Sequence, residues 1–170
     1  MTIGQPTPRL VNLDEDHVTG VAFNLVLLVW RRRTLLEAYR AAIQLVTETV
    51  VKNPRGVGVM QVVEVDAIPP DSETRKAFGL MMHLPGIQHF SVTHDGTGFK
   101  AASVRAIVSG VNALARPTFA HSVQSSVPDA ARWAAAQNRA IGAADDAAAI
   151  ERALQSLRRL HVDKYPSAKK

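Results

Sequence analysis

The chain has 170 residues, of which 46% are hydrophobic and 21% charged, as expected for one globular domain, and this composition excludes global disorder. There is no cysteine, which excludes a disulfide scaffold, a thiol nucleophile and a cysteine-ligated metal site. Twenty basic residues against 15 acidic ones give a net charge of +5, and the only dense basic run is Arg31, Arg32 and Arg33. This thin positive charge predicts at most a weak attraction to polyanions.

The first half of the chain contains the predicted strands and helices in alternation. Residues 1–8 contain two prolines and predict a loose arm, followed by a short strand at 9–13 and an acidic turn at 14–16. The apolar density over 18–31 predicts one long buried strand. Thr34 and Glu37 have the spacing of a capping box and open a helix that ends near Asn53. The valine-rich segment 57–65 predicts the next strand.

The second half continues the alternation. A helix starts at Asp71 or Ser72 and runs to about residue 83, and a strand follows at 87–93. The apolar spacing predicts a third helix after the glycine-rich loop at 94–98, and 118–123 is the last strand. Ser126 and Asp129 form a second capping box, and a final helix is expected over 143–160.

This order predicts an α/β fold with a single open, mixed, mainly parallel sheet of about five strands and four to five helices. We expect a domain over 9–138, an additional C-terminal helix over 139–163 and a tail over 164–170. The longest apolar run, residues 25–30, is much shorter than the roughly 20 residues of a membrane span. No signal-peptide pattern is visible at the start, so we expect no membrane insertion and a cytoplasmic location.

The segment 57–82 resembles the STAS domain, named for sulphate transporters and anti-sigma factor antagonists. In that family a strand ends in an aspartate, here Asp66, and an Asp-Ser or Asp-Thr pair, here Asp71 and Ser72, opens the next helix. The order of elements also matches. The ending SSVPDAARWAAA is similar to the STAS-like branch related to CRAL-TRIO lipid-binding domains. The resemblance covers about residues 9–138.

The resemblance implies a STAS-like fold and a non-enzymatic bacterial regulatory module that binds a protein partner. It makes Ser72 the candidate phosphate acceptor, on a partner-facing edge formed by Asp66, Asp71, Ser72, Arg75 and Lys76. A phosphate there would lie at a helix N-terminus close to basic residues. The alternative is that Asp71 and Ser72 only cap the helix. Self-association and the binding of a small apolar or anionic ligand stay open.

A second candidate site is the turn from Gly96 to Lys100. Gly96, Gly98 and Ala101 follow a strand and precede a helix with the G-x-G-x-x-A spacing of a dinucleotide-binding turn, and Lys100 adds a positive charge. The next strand ends without the acidic residue that would hold a ribose. This turn therefore supports an alternative function as a nucleotide- or anion-binding enzyme, and a sharp turn without a ligand is the simpler interpretation.

The remaining residues predict no catalytic set, no metal site and no cofactor. The six histidines show no H-E-x-x-H pattern, and G-x-S-x-G is absent. Interleaved aromatic residues for base stacking are also missing, which makes a nucleic-acid partner unexpected. Weak polyanion binding by the basic surface is the third functional alternative.

Overall fold

The six strands of the described part of the chain lie in the sheet in the order in which they occur in the sequence. The computed structural model describes residues 7–167. The strands are β1 (Arg9–Leu13), β2 (His17–Ala22), β3 (Leu25–Trp30), β4 (Val57–Val63), β5 (Ile87–Thr93) and β6 (Ala120–Gln124). The first three are antiparallel neighbours, and β3 to β6 run parallel. The predicted α/β fold with one mixed, mainly parallel sheet is therefore confirmed.

Within residues 7–167, five helices cover the two faces of this sheet. Three of them connect the parallel strands and share one face: α1 (Leu36–Lys52), α2 (Ser72–Met81) and α3 (Gly98–Ala115). Each parallel connection moves one strand further in the same direction, and right-handed crossovers in one direction place their helices on one face. The chain then passes to the opposite face, where α4 (Val127–Ala140) and α5 (Ala147–Lys164) pack.

The central strand β3 shows why both faces need cover. Val26, Leu28 and Trp30 point toward α1, α2 and α3, whereas the intervening Leu25, Leu27 and Val29 pack against α4 and α5. All six side chains are buried, because successive residues of a strand point to opposite faces of the sheet. None of the helices in residues 7–167 has the length and apolar character needed to cross a membrane.

The single strand predicted over 18–31 is wrong, because the structure forms a hairpin there. Phe23 adopts a left-handed backbone conformation with φ 57°, and the chain reverses between β2 and β3. The Asn24 side chain donates to the carbonyl of Gly56 at 3.3 Å and to Oδ1 of Asn138 at 3.1 Å. Distant contacts thus hold this turn, and an apolar run alone does not reveal it.

The helix starts were predicted with mixed success. The capping box at Thr34 is wrong, since Leu35 occupies the N-cap of α1 without a side-chain hydrogen bond. The predicted cap at Ser126 is confirmed, since its hydroxyl accepts from the Asp129 backbone N–H at 3.2 Å. The Asp129 carboxylate accepts from the Ser126 hydroxyl at 2.6 Å, whereas in a capping box it would accept from the Ser126 backbone N–H. At the start of α2 the cap is Asp71 rather than Ser72.

The C-terminal helix packs on the same sheet as the rest of the chain. Ile150, Leu154 and Leu157 of α5 are fully buried, and Leu157 lies directly over Gly20 of β2, where a Cβ would come within 3.1 Å of it. The predicted arm at 1–8 and tail at 164–170 include residues 1–6 and 168–170, which lie outside the described part.

Candidate functional site

A groove of about 660 Å³ lies between α2 and α3 on the outer surface of the first helical layer. Because the two helices pack side by side over the sheet, their solvent-facing flanks form its walls. The α2 side is lined by Ser72, Arg75, Lys76, Gly79, Leu80 and His83, and the α3 side by Ala106, Ile107, Gly110, Val111, Leu114 and Ala115. This volume is in the range of typical ligand sites.

The groove is apolar at the end formed by the C-terminal turns of α2 and α3. Leu114 and Leu80 line it and are 88% and 64% exposed, respectively. Scattered exposed leucines are common on protein surfaces, but two that line one groove form an apolar patch of the kind that marks a binding site. The smallest residues, Gly79 and Gly110, come from the interiors of the two helices.

These two glycines have no role in packing within the described chain. A Cβ at Gly79 or Gly110 would meet no atom within 4 Å, and neither residue has a positive φ. A glycine in a helix interior costs about 1 kcal/mol relative to alanine. The fold would therefore tolerate larger residues here, and their absence keeps the groove open.

The N-terminus of α2 forms one end of the groove. The Asp71 carboxylate accepts from the Thr74 backbone N–H at 2.8 Å, and this hydrogen bond lowers the pKa of Asp71 below its ordinary value. Ser72 is the first residue of the helix, is exposed and lines the groove. Its hydroxyl is thus accessible, because the capping function belongs to Asp71.

Two basic side chains stand beside Ser72. Arg75 donates from Nε to the Asp71 carbonyl at 3.3 Å, and Lys76 pairs with Glu73 at 2.7 Å, which raises the pKa of Lys76. The α3 wall carries no charged side chain, because Lys100 and Arg105 of α3 do not line the groove. The groove therefore has two basic side chains on its α2 wall near Ser72 and an apolar end near Leu80 and Leu114.

The structure brings together only part of the predicted partner-facing edge. Ser72, Arg75 and Lys76 line the groove, whereas Asp71 and Asp66 do not. Asp66 lies in the exposed turn that follows β4. A contact between Lys100 Nζ and the Val65 carbonyl, at 2.8 Å, joins this turn to the start of α3.

Each residue of the predicted anion site, Gly96, Gly98 and Lys100, has a structural role in the fold. Gly98 begins α3 with φ 75°, a conformation that favours glycine. A Cβ on Gly96 would lie 2.5 Å from Nε2 of the buried His94. Lys100 spends one donor on the Val65 carbonyl. These contacts account for each residue without a ligand, and anion binding stays a prediction.

On the face of the sheet covered by α5, Arg158 contacts acidic residues that follow β4 and β5. Arg158 donates to both carboxylate oxygens of Glu64, at 2.6 and 2.8 Å, and lies 3.2 Å from Asp95. The pKa of Arg158 is raised, first by the Glu64 hydrogen bond. Within residues 7–167, no group of three or more His, Asp or Glu side chains is arranged to hold a metal ion.

The groove itself was not predicted from the sequence. The apolar spacing that predicts α3 joins Val104, Ile107, Val108, Val111 and Leu114, but Leu114 is 88% exposed. The available signal was the pair Gly79 and Gly110, two glycines inside helical patterns without a turn at either position. Only the packing of α2 beside α3 shows that both face one groove.

Comparison with known proteins leaves the chain without an assigned relative. No family model, curated protein or solved structure matches it. The STAS-like character of the chain therefore stays a prediction that rests on Asp66, Asp71, Ser72 and the order of the elements.

Proposed function

We propose that this chain is a non-enzymatic, bacterial interaction module and that the α2–α3 groove binds an amphipathic, acidic helix of a protein partner. The observation that carries the proposal is the groove, in which exposed Leu80 and Leu114 face a surface kept open by Gly79 and Gly110. The resemblance to STAS domains, which predicts a partner surface at Ser72, points to the same place.

The dimensions of the groove favour a helix as the occupant. The ten residues of α2 form a wall about 15 Å long, which corresponds to roughly three turns of a docked helix. Apolar side chains at i, i+3 or i+4 and i+7 of such a helix would contact Leu80, Ile107 and Leu114. The two glycines allow the close approach that a larger residue would prevent.

The charges of the residues that line the groove favour a partner segment with a net negative charge. Among the residues that line the groove, Arg75 and Lys76 are basic and none is acidic. Complementary charge raises association rates and disfavours wrong partners. A second copy of this chain would bring the same basic surface, so an acidic partner is the better electrostatic match.

The experiment begins with affinity capture by the full-length chain from a native bacterial extract, followed by purification of a captured protein and direct titration. Leu114→Glu places a carboxylate in the groove, and Gly110→Leu fills it. Val51→Glu is the matched control, because Val51 is 80% exposed on α1 outside the groove.

We expect both groove variants to weaken binding at least tenfold, while Val51→Glu binds like the unaltered chain. The bound segment of the partner should be an acidic helix in a crystal structure or by NMR. Equal affinity of the groove variants and the unaltered chain for the purified partner would overturn the proposal.

A further inference from the structure

A cleft of about 370 Å³ lies at the edge of the sheet where the parallel strands β3 and β4 begin. Three connections line it: the β2–β3 turn with Phe23 and Asn24, the α1–β4 link with residues 52–56, and the α4–α5 link with Ala143 and Ala144. None of these residues lines the α2–α3 groove. The cleft is therefore a separate candidate site, with a volume at the lower end of the range for ligand sites.

The charged side chains that line the cleft are both basic. Lys52 and Arg55 are exposed, and no acidic residue of the described chain lines the cleft with them. Neither side chain forms a salt bridge with any residue in 7–167. The cleft thus carries two positive charges that the described part of the fold leaves without a counter-ion.

The acidic residues that follow in the α4–α5 link are engaged elsewhere. Asp145 pairs with Arg139 at 2.7 Å, and Asp146 accepts from the Ala149 backbone N–H at 3.1 Å as the N-cap of α5. Neither aspartate lines the cleft. The two positive charges are therefore free to meet an anion from solution.

The Arg55 guanidinium has a defined position at the cleft. Its Nη1 donates to the Gly142 carbonyl, which joins the α1–β4 link to the α4–α5 link. Nε and Nη2 have no partner in the described chain and form the same pair of donors that Arg158 presents to Glu64. Such a pair matches two oxygens of a phosphate group, and a lysine ammonium adds a point charge for a third.

The C-terminus of α1, beside Lys52, opposes an anion only weakly. Unpaired carbonyls give a helix C-terminus its negative potential. Here the Asn53 backbone N–H donates to Val50 at 3.0 Å, its side-chain Nδ2 donates to the Thr49 carbonyl at 2.8 Å, and the Asn53 carbonyl accepts from Gly56 at 2.8 Å. Two full positive charges therefore outweigh the roughly half charge of this helix end.

Phe23 gives the cleft an apolar wall. Its backbone is left-handed, with φ 57°, which is uncommon for a bulky residue and is found more often where chains bind ligands. The side chain is half-buried: it packs against the core beneath α4 and α5 and also lines the cleft, together with Pro54 and Ala143. Apolar contacts thus lie beside the two positive charges.

We propose that this cleft binds a phosphate monoester with a small, partly apolar body. Nε and Nη2 of Arg55 and Nζ of Lys52 hold the phosphate oxygens, and the body lies against Phe23 and Pro54. A dianionic phosphate matches the two positive charges. The volume equals that of roughly a dozen water molecules at about 30 Å³ each, which limits the body to one ring or a short chain.

The test is an NMR titration of the full-length chain with phenyl phosphate at about pH 8, where the phosphate is a dianion. The backbone amides of Gly56 and Ala144 report binding. We expect saturable shifts of both with phenyl phosphate. Inorganic phosphate, which has no body, and benzyl alcohol, which has no charge, should each bind at least tenfold more weakly at the same ionic strength.

Three variants assign the binding to the cleft. Lys52→Gln removes one charge, and Arg55→Lys keeps the charge but loses the paired donors, so each should weaken phenyl phosphate binding at least fivefold. Arg105→Gln is the matched control, because Arg105 is an exposed arginine of α3 that does not line the cleft. Its affinity should equal that of the unaltered chain. If Arg55→Lys loosens the contact with Gly142, Lys52→Gln decides the result.

Three results would overturn the proposal. The first is the absence of saturable shifts at Gly56 and Ala144 in the unaltered chain. The second is an equal loss of affinity in Lys52→Gln and Arg105→Gln, which would show a general charge effect. The third is binding of inorganic phosphate or benzyl alcohol as tight as that of phenyl phosphate, which would exclude a monoester as the ligand class.

Discussion

Arg158 in α5 and Glu64, the residue that follows β4, form a two-pronged ion pair across the carboxyl end of the sheet. Nε and Nη2 of Arg158 lie 2.6 and 2.8 Å from the two carboxylate oxygens of Glu64. Both side chains are largely buried, with 20% and 9% of their surface exposed. The pair fixes the C-terminal half of α5 to the strand that leads into the candidate site.

Removal of the Arg158 guanidinium should destabilise the protein, because the Glu64 carboxylate would stay buried without its partner. We expect Arg158→Met to lower the free energy of unfolding by about 3 kcal/mol, because a buried charge would lose its partner. The double variant Glu64→Gln with Arg158→Met should recover part of this loss. Urea unfolding followed by circular dichroism measures both, and a loss below about 1 kcal/mol would show that the pair contributes little.

Replacement of either groove glycine by alanine should stabilise the protein. We expect Gly79→Ala and Gly110→Ala each to raise the free energy of unfolding by about 0.5–1 kcal/mol, because alanine is the better helix former and its Cβ meets nothing. Thermal unfolding measures the shift. A loss of stability in either variant would contradict the open space assigned to the groove.

Gly58 in β4 is the matched opposite case. A Cβ there would collide with the His89 ring and lie 2.6 Å from a methyl carbon of Leu25. Gly58→Ala should therefore lower stability by about 1–3 kcal/mol, the range for overpacking a core. The same unfolding measurement applies, and a neutral effect would mean that the sheet can shift to make room.

His89 should make the protein less stable in mild acid. Its Nε2 donates to Asn138 Oδ1 at 2.9 Å, because the Asn138 amide group donates to Asn24 and Ala144 and leaves only its oxygen to accept. Burial lowers the pKa of His89, and burial also lowers the pKa of His161, which is fully buried in α5. The native state therefore takes up protons on both rings at a lower pH than the unfolded state does.

Well above pH 6.5 both rings are neutral in the native and the unfolded states and contribute no pH dependence. Below it the unfolded state binds protons that the native state refuses, so stability falls by up to about 1.4 kcal/mol per pH unit for each proton. Urea unfolding between pH 7 and 5 measures this slope. His89→Gln should reduce it, and an unchanged slope would remove His89 as its source.

The start of α2 should separate capping from partner binding. Asp71→Ala removes the observed cap and should cost about 1 kcal/mol of stability. Ser72→Ala should change stability by less, because Ser72 does not cap the helix. Ser72→Glu should also leave stability nearly unchanged, since a negative charge at a helix N-terminus is favourable.

Although Ser72→Glu should leave stability nearly unchanged, it should weaken the binding of the partner. A carboxylate at position 72 brings negative charge to the mouth of a groove that we expect to attract an acidic helix. Titration of the purified partner should therefore show weaker binding to Ser72→Glu and unchanged binding to Ser72→Ala. Unaltered affinity of Ser72→Glu would show that phosphorylation of Ser72 could not act as a switch at this surface.

The sequence by itself determined the class of fold and most of its elements. Hydrophobic periodicity repeats locally, so β4, β5, α1 and α3 could be located from the spacing of apolar residues alone. The same holds for the cap at Ser126 and Asp129, which are only three residues apart. Such features depend only on residues that are close together in the sequence, so the sequence alone is enough to predict them.

Only the tertiary structure decided the features that join distant segments. The turn at Phe23 and Asn24 is held by Gly56 and Asn138, which lie 32 and 114 residues away from Asn24. The pairing of Gly79 with Gly110 across one groove depends on how α2 packs beside α3. A contact between residues far apart in sequence leaves no local pattern, because burial and hydrogen-bond partners are set when the elements pack.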